Sequence, residues 1–167
     1  RGLGDVYKRQ VKNGSVPEHD VLVTNPPYSS THKSRILNFV LNKNRQRPWA
    51  LLVPTYCVTK QWYKDAVKMR LSTSSQPFFI VPRTRYTYEH PTGKGHKMSP
   101  FQSVWIVCAW NRTQELFAWC KNTIRSARVA KSANELEHLH VEGVMLKRRP
   151  NPRARKKARK RRRVKSE

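Results

Sequence analysis

A chain of 167 residues is long enough for one folded domain, and 37% hydrophobic with 10% aromatic residues supplies a modest core. Its 35 Lys and Arg against 10 Asp and Glu give a formal net charge of +25, which excludes an ordinary near-neutral domain and points to a polyanionic partner, nucleic acid or an anionic membrane surface. No apolar run approaches the ~18 residues of a spanning helix, and Cys57, Cys108 and Cys120 are too few and too scattered for a disulfide framework or a zinc site, so free thiols, buried or half-buried, are expected.

The segment Asp5-Val6-Tyr7-Lys8-Arg9-Gln10 can be encoded by GATGTGTATAAGAGACAG, a string similar to the end of a transposase sequencing adaptor. Residues 1–10 are therefore set apart from the fold, and native sequence is expected upstream of Val11.

From there the pattern alternates. Residues 20–24 form a short apolar run stopped by Pro26 and Pro27, which predicts a buried strand. Residues 31–41 carry Ile36, Leu37, Val40 and Leu41 on one helical face, with Ser30 or Thr31 as the N-cap. Residues 49–53, ending at Pro54, predict a second strand and residues 60–71 a second helix. Residues 77–82 predict a third strand. Residues 101–110 predict a fourth, with Val104, Ile106 and Cys108 alternating against Trp105, Val107 and Ala109, and residues 111–126 a third helix capped near Asn111 or Thr113. The five tryptophans are expected in the core or in helix packing. Strand, helix, strand, helix, strand is the order of a doubly wound α/β sheet, whose strands are apolar because both faces are covered. The expected piece is a four-strand half of such a sheet over residues 11–127, a helical or linker segment over 128–146, and a disordered polybasic tail over 147–167.

Asn25-Pro26-Pro27-Tyr28 follows the first strand, at the carboxyl end where open α/β sheets hold their ligands. The Asn amide oxygen and the carbonyl before the second proline are two acceptors at a fixed separation, and the prolines remove backbone freedom and donors. Two such acceptors hold a planar NH2 group by its hydrogens and turn its lone pair out of the plane. Tyr28 offers a flat face for a ring. The plain alternative is that the prolines only end a strand.

Residues 21–28, Val-Leu-Val-Thr-Asn-Pro-Pro-Tyr, resemble the amino-methyltransferase signature of class I S-adenosylmethionine enzymes, which methylate adenine N6, guanine N2, cytosine N4 or a protein glutamine. The resemblance covers roughly residues 20–110. It implies the C-terminal half of a Rossmann-like methyltransferase sheet, S-adenosylmethionine as cofactor of the complete protein, and Asn25, Pro26, Pro27 and Tyr28 as catalytic residues. The stretch from Arg83-Thr84-Arg85-Tyr86 through Pro91-Thr92-Gly93 to Ser99-Pro100-Phe101-Gln102-Ser103 is similar to a late hairpin of phage-type adenine-N6 methyltransferases, which implies Arg83, Arg85, Tyr86, Lys94 and Phe101 as substrate contacts. No Gly-x-Gly follows a strand, and no acid stands ready for the cofactor ribose. Gly93-Lys94-Gly95 reads as a hairpin turn, so this stretch is expected to bind the cofactor poorly.

Arg83, Arg85, Tyr86 and Tyr88 alternate basic and aromatic, a pattern that contacts phosphates and stacks bases or else is an ordinary exposed strand. Lys94, His96 and Lys97 read as a solvated turn or as phosphate contacts, and His32 and Lys33 as helix surface or pocket lining. His138 and His140 lack partners at metal-ligand spacing, so no metal site is expected. Residues 147–167 hold 13 Lys and Arg against Glu167 alone. Lys147-Arg148-Arg149 and, after a spacer, Arg155, Lys156, Lys157, Arg159, Lys160, Arg161, Arg162 and Arg163 resemble a bipartite nuclear import signal and would bind nucleic acid with strong salt dependence. Neither an anchoring helix nor a lipidation motif accompanies them, which disfavours a membrane. The expected partners are nucleic acid, DNA or RNA, and a nuclear import receptor. The alternatives are a catalytically inactive nucleic-acid-binding module and a protein-glutamine methyltransferase.

Overall fold

The computed structural model describes residues 16–28, 31–44, 46–87 and 101–138. The chain runs β1 (Leu22–Thr24), α1 (His32–Asn42), β2 (Trp49–Pro54), α2 (Gln61–Arg70), β3 (Phe78–Pro82), β4 (Ser103–Cys108), α3 (Thr113–Thr123), β5 (Ala127–Ala130) and α4 (Ala133–His138), with a 3-10 turn at Thr55–Cys57. It is a mixed α/β fold built on one open five-stranded sheet of order β1-β2-β4-β3-β5. β1 pairs parallel with β2 across the α1 crossover, while β4 runs antiparallel to both β2 and β3, and β5 antiparallel to β3.

The predicted strands and three predicted helices are present, with ends shifted by up to three residues. Two features differ from the sequence expectation. β4 and β5 run against the other three strands, so this part of the sheet is mixed where a parallel doubly wound pattern was expected. Segment 128–146, expected as helix or linker, begins inside the edge strand β5, and α4 follows. Ala127 and Ala130 carry little β signal. The strand forms because the free edge of β3 offers it a ladder from Phe79↔Ala130 to Pro82↔Ala127.

Side chains alternate across the sheet, as the period of a strand requires. Val104, Ile106 and Cys108 of β4 join Trp49, Leu51 and Val53 of β2 and Phe79 and Val81 of β3 on one face. There α1 contributes Ile36, Leu37 and Val40, α2 contributes Tyr63 and Val67, and α4 contributes Leu136. The opposite face is smaller: Phe78, Val107 and Cys120 are its buried centre, with Trp105, Ile80 and α3 residues Leu116 and Phe117 partly buried around them. α3 does not reach β1, and Val23 is left 62% exposed. A groove of about 400 Å³ runs there between Val23, Ala50, Trp105 and Ile124.

Of the tryptophans, Trp49 is fully buried and Trp62 and Trp110 pack on the core, but Trp119 is 59% exposed on α3. All three cysteines are free and buried, as expected. Thr31 takes the N-cap position of α1 without a side-chain capping bond; its carbonyl accepts from the Arg35 amide and the Ser34 hydroxyl. The N-cap position of α3 falls to Arg112, and Thr113 instead accepts the Ala109 amide at 2.9 Å. The arm before β1 is tied down at His19, whose two ring nitrogens lie 2.7 Å from the Pro17 carbonyl and the Asn44 side-chain oxygen. No helix among the described residues is long and apolar enough to cross a membrane.

The two faces should differ in their tolerance of truncation. Ile106, 2% exposed at the centre of the larger core, should lose roughly 2–5 kcal/mol of stability on Ile106→Ala. Val23→Ala on the open face should stay within about 0.5 kcal/mol. Urea unfolding of the two variants measures both.

Candidate functional site

The directions of the strands decide which residues meet. The carboxyl ends of β1, β2 and β3 and the amino ends of β4 and β5 lie at one rim of the sheet. Asn25-Pro26-Pro27-Tyr28 leaves β1 there, Thr55-Tyr56-Cys57 leaves β2, Arg83 to Tyr86 leaves β3, Phe101-Gln102 enters β4, and Arg125-Ser126 enters β5.

Pro26 is fully buried, Asn25 is exposed, and Tyr28 is half-buried. The turn thus plants its first proline in the core and leaves the asparagine amide at the surface. Lys33, one turn along from the loop on α1, donates its ammonium to the Tyr28 carbonyl. This tether fixes the loop to the helix that follows it. The Phe101 ring meets Tyr28 edge-on, with centroids 5.3 Å apart and planes at 71°. Tyr56 meets the same Phe101 at 6.3 Å and 89°. Edge-to-face contacts of this length are favourable aromatic pairs, and they leave Tyr56 44% exposed. Thr55 secures the arrangement: its amide and its hydroxyl both donate to the Gln102 carbonyl, at 2.8 and 2.9 Å.

The centre of this cluster is uncharged. Burial, and then the neighbouring Cys57, push the Tyr56 hydroxyl above its ordinary value. Burial raises the Cys57 thiol to about 11, against the opposing pull of Lys33 and Lys60. His32, at the start of α1, is buried rather than displayed on the helix surface.

The second predicted group lies on the same rim but further along it. Arg83 is exposed, donates from Nε to the Arg125 carbonyl at 3.0 Å, and pairs its amide with the Ser126 carbonyl at 3.3 Å. The Tyr86 hydroxyl accepts the Trp105 indole N–H at 3.0 Å. Arg85 is half-buried. β3 stands two strands from β2, a separation of about 10 Å at ordinary strand spacing. The rim therefore joins Tyr28 to Phe101 directly, and brings Arg83, Arg85 and Tyr86 alongside. Lys94, with Tyr88, His96 and Lys97, lies outside the described residues, as do His140 and the whole basic tail from Lys147 to Arg163. Among the described residues no group of three or more His, Cys, Asp or Glu gathers as a metal site.

Tyr56 and Arg125 were not singled out by the sequence patterns, and Lys33, read as helix surface or pocket lining, bonds instead to the Tyr28 carbonyl. Tyr56 had a signal: Pro54-Thr55-Tyr56 repeats, at the end of β2, the Pro-x-Tyr spacing of Pro26-Pro27-Tyr28 at the end of β1. Arg125 had none, because its position follows only from β5. Compared with protein-family models and with curated proteins, the chain matches none.

The raised Cys57 thiol has a measurable consequence. At about pH 8 the folded chain should react with iodoacetamide at Cys57 about 100-fold more slowly than the urea-unfolded chain, since the thiolate is the nucleophile. The folded state holds this proton more tightly than the unfolded state. Its contribution to stability is therefore complete below the ordinary value of 9.0 and is lost as pH rises through about 11. Mass spectrometry of alkylated peptides across pH checks the first statement and urea midpoints the second.

Proposed function

We propose that the described residues are the amine-holding side of an S-adenosylmethionine-dependent methyltransferase that acts on an exocyclic amino group of nucleic acid, adenine N6 foremost. One observation carries the reading: Asn25-Pro26-Pro27-Tyr28 leaves the carboxyl end of a strand with its proline buried, its asparagine exposed, and the Phe101 ring against Tyr28. The antiparallel pairing of β3 and β4 agrees with the late hairpin of the resemblance, and the mixed sheet is compatible with a Rossmann-like methyltransferase half.

In this reading Asn25 and the Pro26 carbonyl accept the two amine hydrogens and direct the nitrogen lone pair out of the ring plane. Tyr28 stacks on the base and Pro27 fixes the turn. No carboxylate base is required, because the two acceptors supply the polarisation. A base in a duplex must swing out to reach these groups. The net charge of +25 favours nucleic acid over a protein glutamine. The two basic clusters of residues 147–163 extend the proposal to nuclear import and to salt-sensitive phosphate contact.

The described residues do not fit the cofactor itself. All six glycines of the chain lie outside them, so they contain no glycine-rich loop after a strand. The sulfonium side of the reaction is not assigned to these residues. That misfit favours the second reading, a module that holds a base without modifying it.

The amine clamp is testable by binding alone. At high ionic strength, where phosphate contacts are weak, a single strand carrying N6,N6-dimethyladenine should bind about 10-fold more weakly than the adenine strand, because both donated hydrogens are gone. Asn25→Ala should remove that discrimination. Equal binding of the two strands by the unaltered chain would refute the clamp. Methyl incorporation from S-adenosylmethionine that Asn25→Ala abolishes favours the enzyme; discrimination without incorporation favours the module.

A further inference from the structure

We infer that the rim is a track for single-stranded nucleic acid, with the target base laid against the aromatic cluster of Tyr28, Phe101 and Tyr56 and the flanking backbone crossing the strand ends in the order β2, β4, β3, β5 toward Arg83 and Arg125. The inference rests on the amine-site reading above and adds to it a substrate class, a direction and two residues, Tyr56 and Arg125.

Sheet order places the rim segments side by side, so a chain leaving the aromatic cluster along the rim meets Arg83 after two strand spacings and Arg125 after three, about 10 and 14 Å. A stacked strand rises about 3.4 Å per nucleotide. The two guanidinium groups therefore stand about three to four nucleotides from the seated base, and fewer if the strand is stretched. Arg83 is already oriented, since its Nε is held by the Arg125 carbonyl, and the same bond ties the β3 end to the turn that carries Arg125.

Charge completes the argument. Rim segments 25–28, 55–57, 83–87, 101–102 and 125–126 contain Arg83, Arg85 and Arg125 and no Asp or Glu. A surface with aromatic rings at one end and arginines without acids at the other is complementary to bases on a phosphate chain, and stacking on such rings tolerates any base. The occupant is a single strand rather than a duplex, because an unpaired base reaches the cluster without the cost of leaving a helix.

The test uses the full chain and oligonucleotides with a central 2-aminopurine, whose fluorescence is quenched on stacking. The unaltered chain should quench it. Arg125→Gln, which keeps the carbonyl that holds Arg83, should shift the quenching midpoint roughly 5- to 10-fold to higher protein concentration and leave quenching of the free 2-aminopurine nucleoside unchanged. Tyr56→Ala should lower the quenching amplitude for both, and Tyr56→Phe should restore it. Lys68→Gln, in the last turn of α2 at the opposite end of the sheet, should behave as the unaltered chain. If Tyr28→Ala abolishes quenching while Arg125→Gln matches the unaltered chain, the track is wrong and the amine site stands. Quenching of duplex and single strand alike also overturns the track. If the unaltered chain quenches no strand, the track falls, while the amine site, whose clamp needs a 6-amino group that 2-aminopurine lacks, is decided by the dimethyladenine comparison.

Discussion

The pairing of β2 with β4 holds the rest of the molecule in place. It runs unbroken from Trp49↔Cys108 to Pro54↔Ser103, and the two Thr55 bonds to the Gln102 carbonyl extend it one step past the ladder. Side chains alternate with period two, so a slip of one residue would exchange the two faces of both strands. Leu51, Val53, Val104 and Ile106 would leave the larger core, and Tyr56 would lose its place against Phe101. The same register that buries the core therefore sets the aromatic cluster. Loop positions that are remote in sequence, Tyr28, Tyr56 and Phe101, become neighbours because each is one or a few residues from a strand end in this ladder.

The sheet is covered unequally. On one face α1, α2 and α4 bury a continuous core; on the other, among the described residues, α3 covers β3 and β4 and leaves Val23 of β1 exposed. β1 is three residues long and pairs with β2 alone among the described residues. Its position is then held by the buried Pro26, by Leu22 against the core, and by the Lys33 tether to the Tyr28 carbonyl, more than by its own ladder. The segment with the most chemistry thus rests on the element with the fewest backbone bonds. A rigid frame under short loops is how binding residues are commonly carried, and here the frame is β2 and β4.

Much of this was legible in the sequence. The apolar runs at β2, β3 and β4 marked buried strands, the spacing in α1 marked its face, and the alternation of Val104, Ile106 and Cys108 against Trp105 and Val107 corresponds to the two cores found. The turn after β1 stood out by its prolines. The apolar run of β4 did not show its direction, because a strand buried on both faces looks alike either way; the antiparallel sense came only from the hairpin resemblance of residues 83–103. β5 was missed because two alanines and an arginine gain their strand only from a partner edge. Lys33 was read as helix surface or pocket lining, yet it bonds backwards to the loop; a side-chain contact to a carbonyl five residues earlier leaves no composition signal. Trp119 was expected to pack, and α3 instead turns it outward.

The charges at the rim are distributed in a way that bears on chemistry. An amine attacks through its lone pair, so a nearby carboxylate would help by taking its proton, while a nearby cation would oppose the positive charge that develops on nitrogen. The rim segments hold no carboxylate; burial raises the Tyr56 hydroxyl and the Cys57 thiol, and the Lys33 ammonium donates to the Tyr28 carbonyl. Arg83 and Arg125 stand two and three strands from β2, and one and two from the β4 end that carries Phe101, near enough for a phosphate chain. In the proposed reading, Asn25 and the Pro26 carbonyl act as the polarising groups. Affinity would come from charges that salt screens, and selection of the amine from dipoles that salt barely touches. The separation along one sheet edge follows from strand order alone: the strands that end in aromatic loops are β1 and β2, and the strands that meet arginines are β3 and β5.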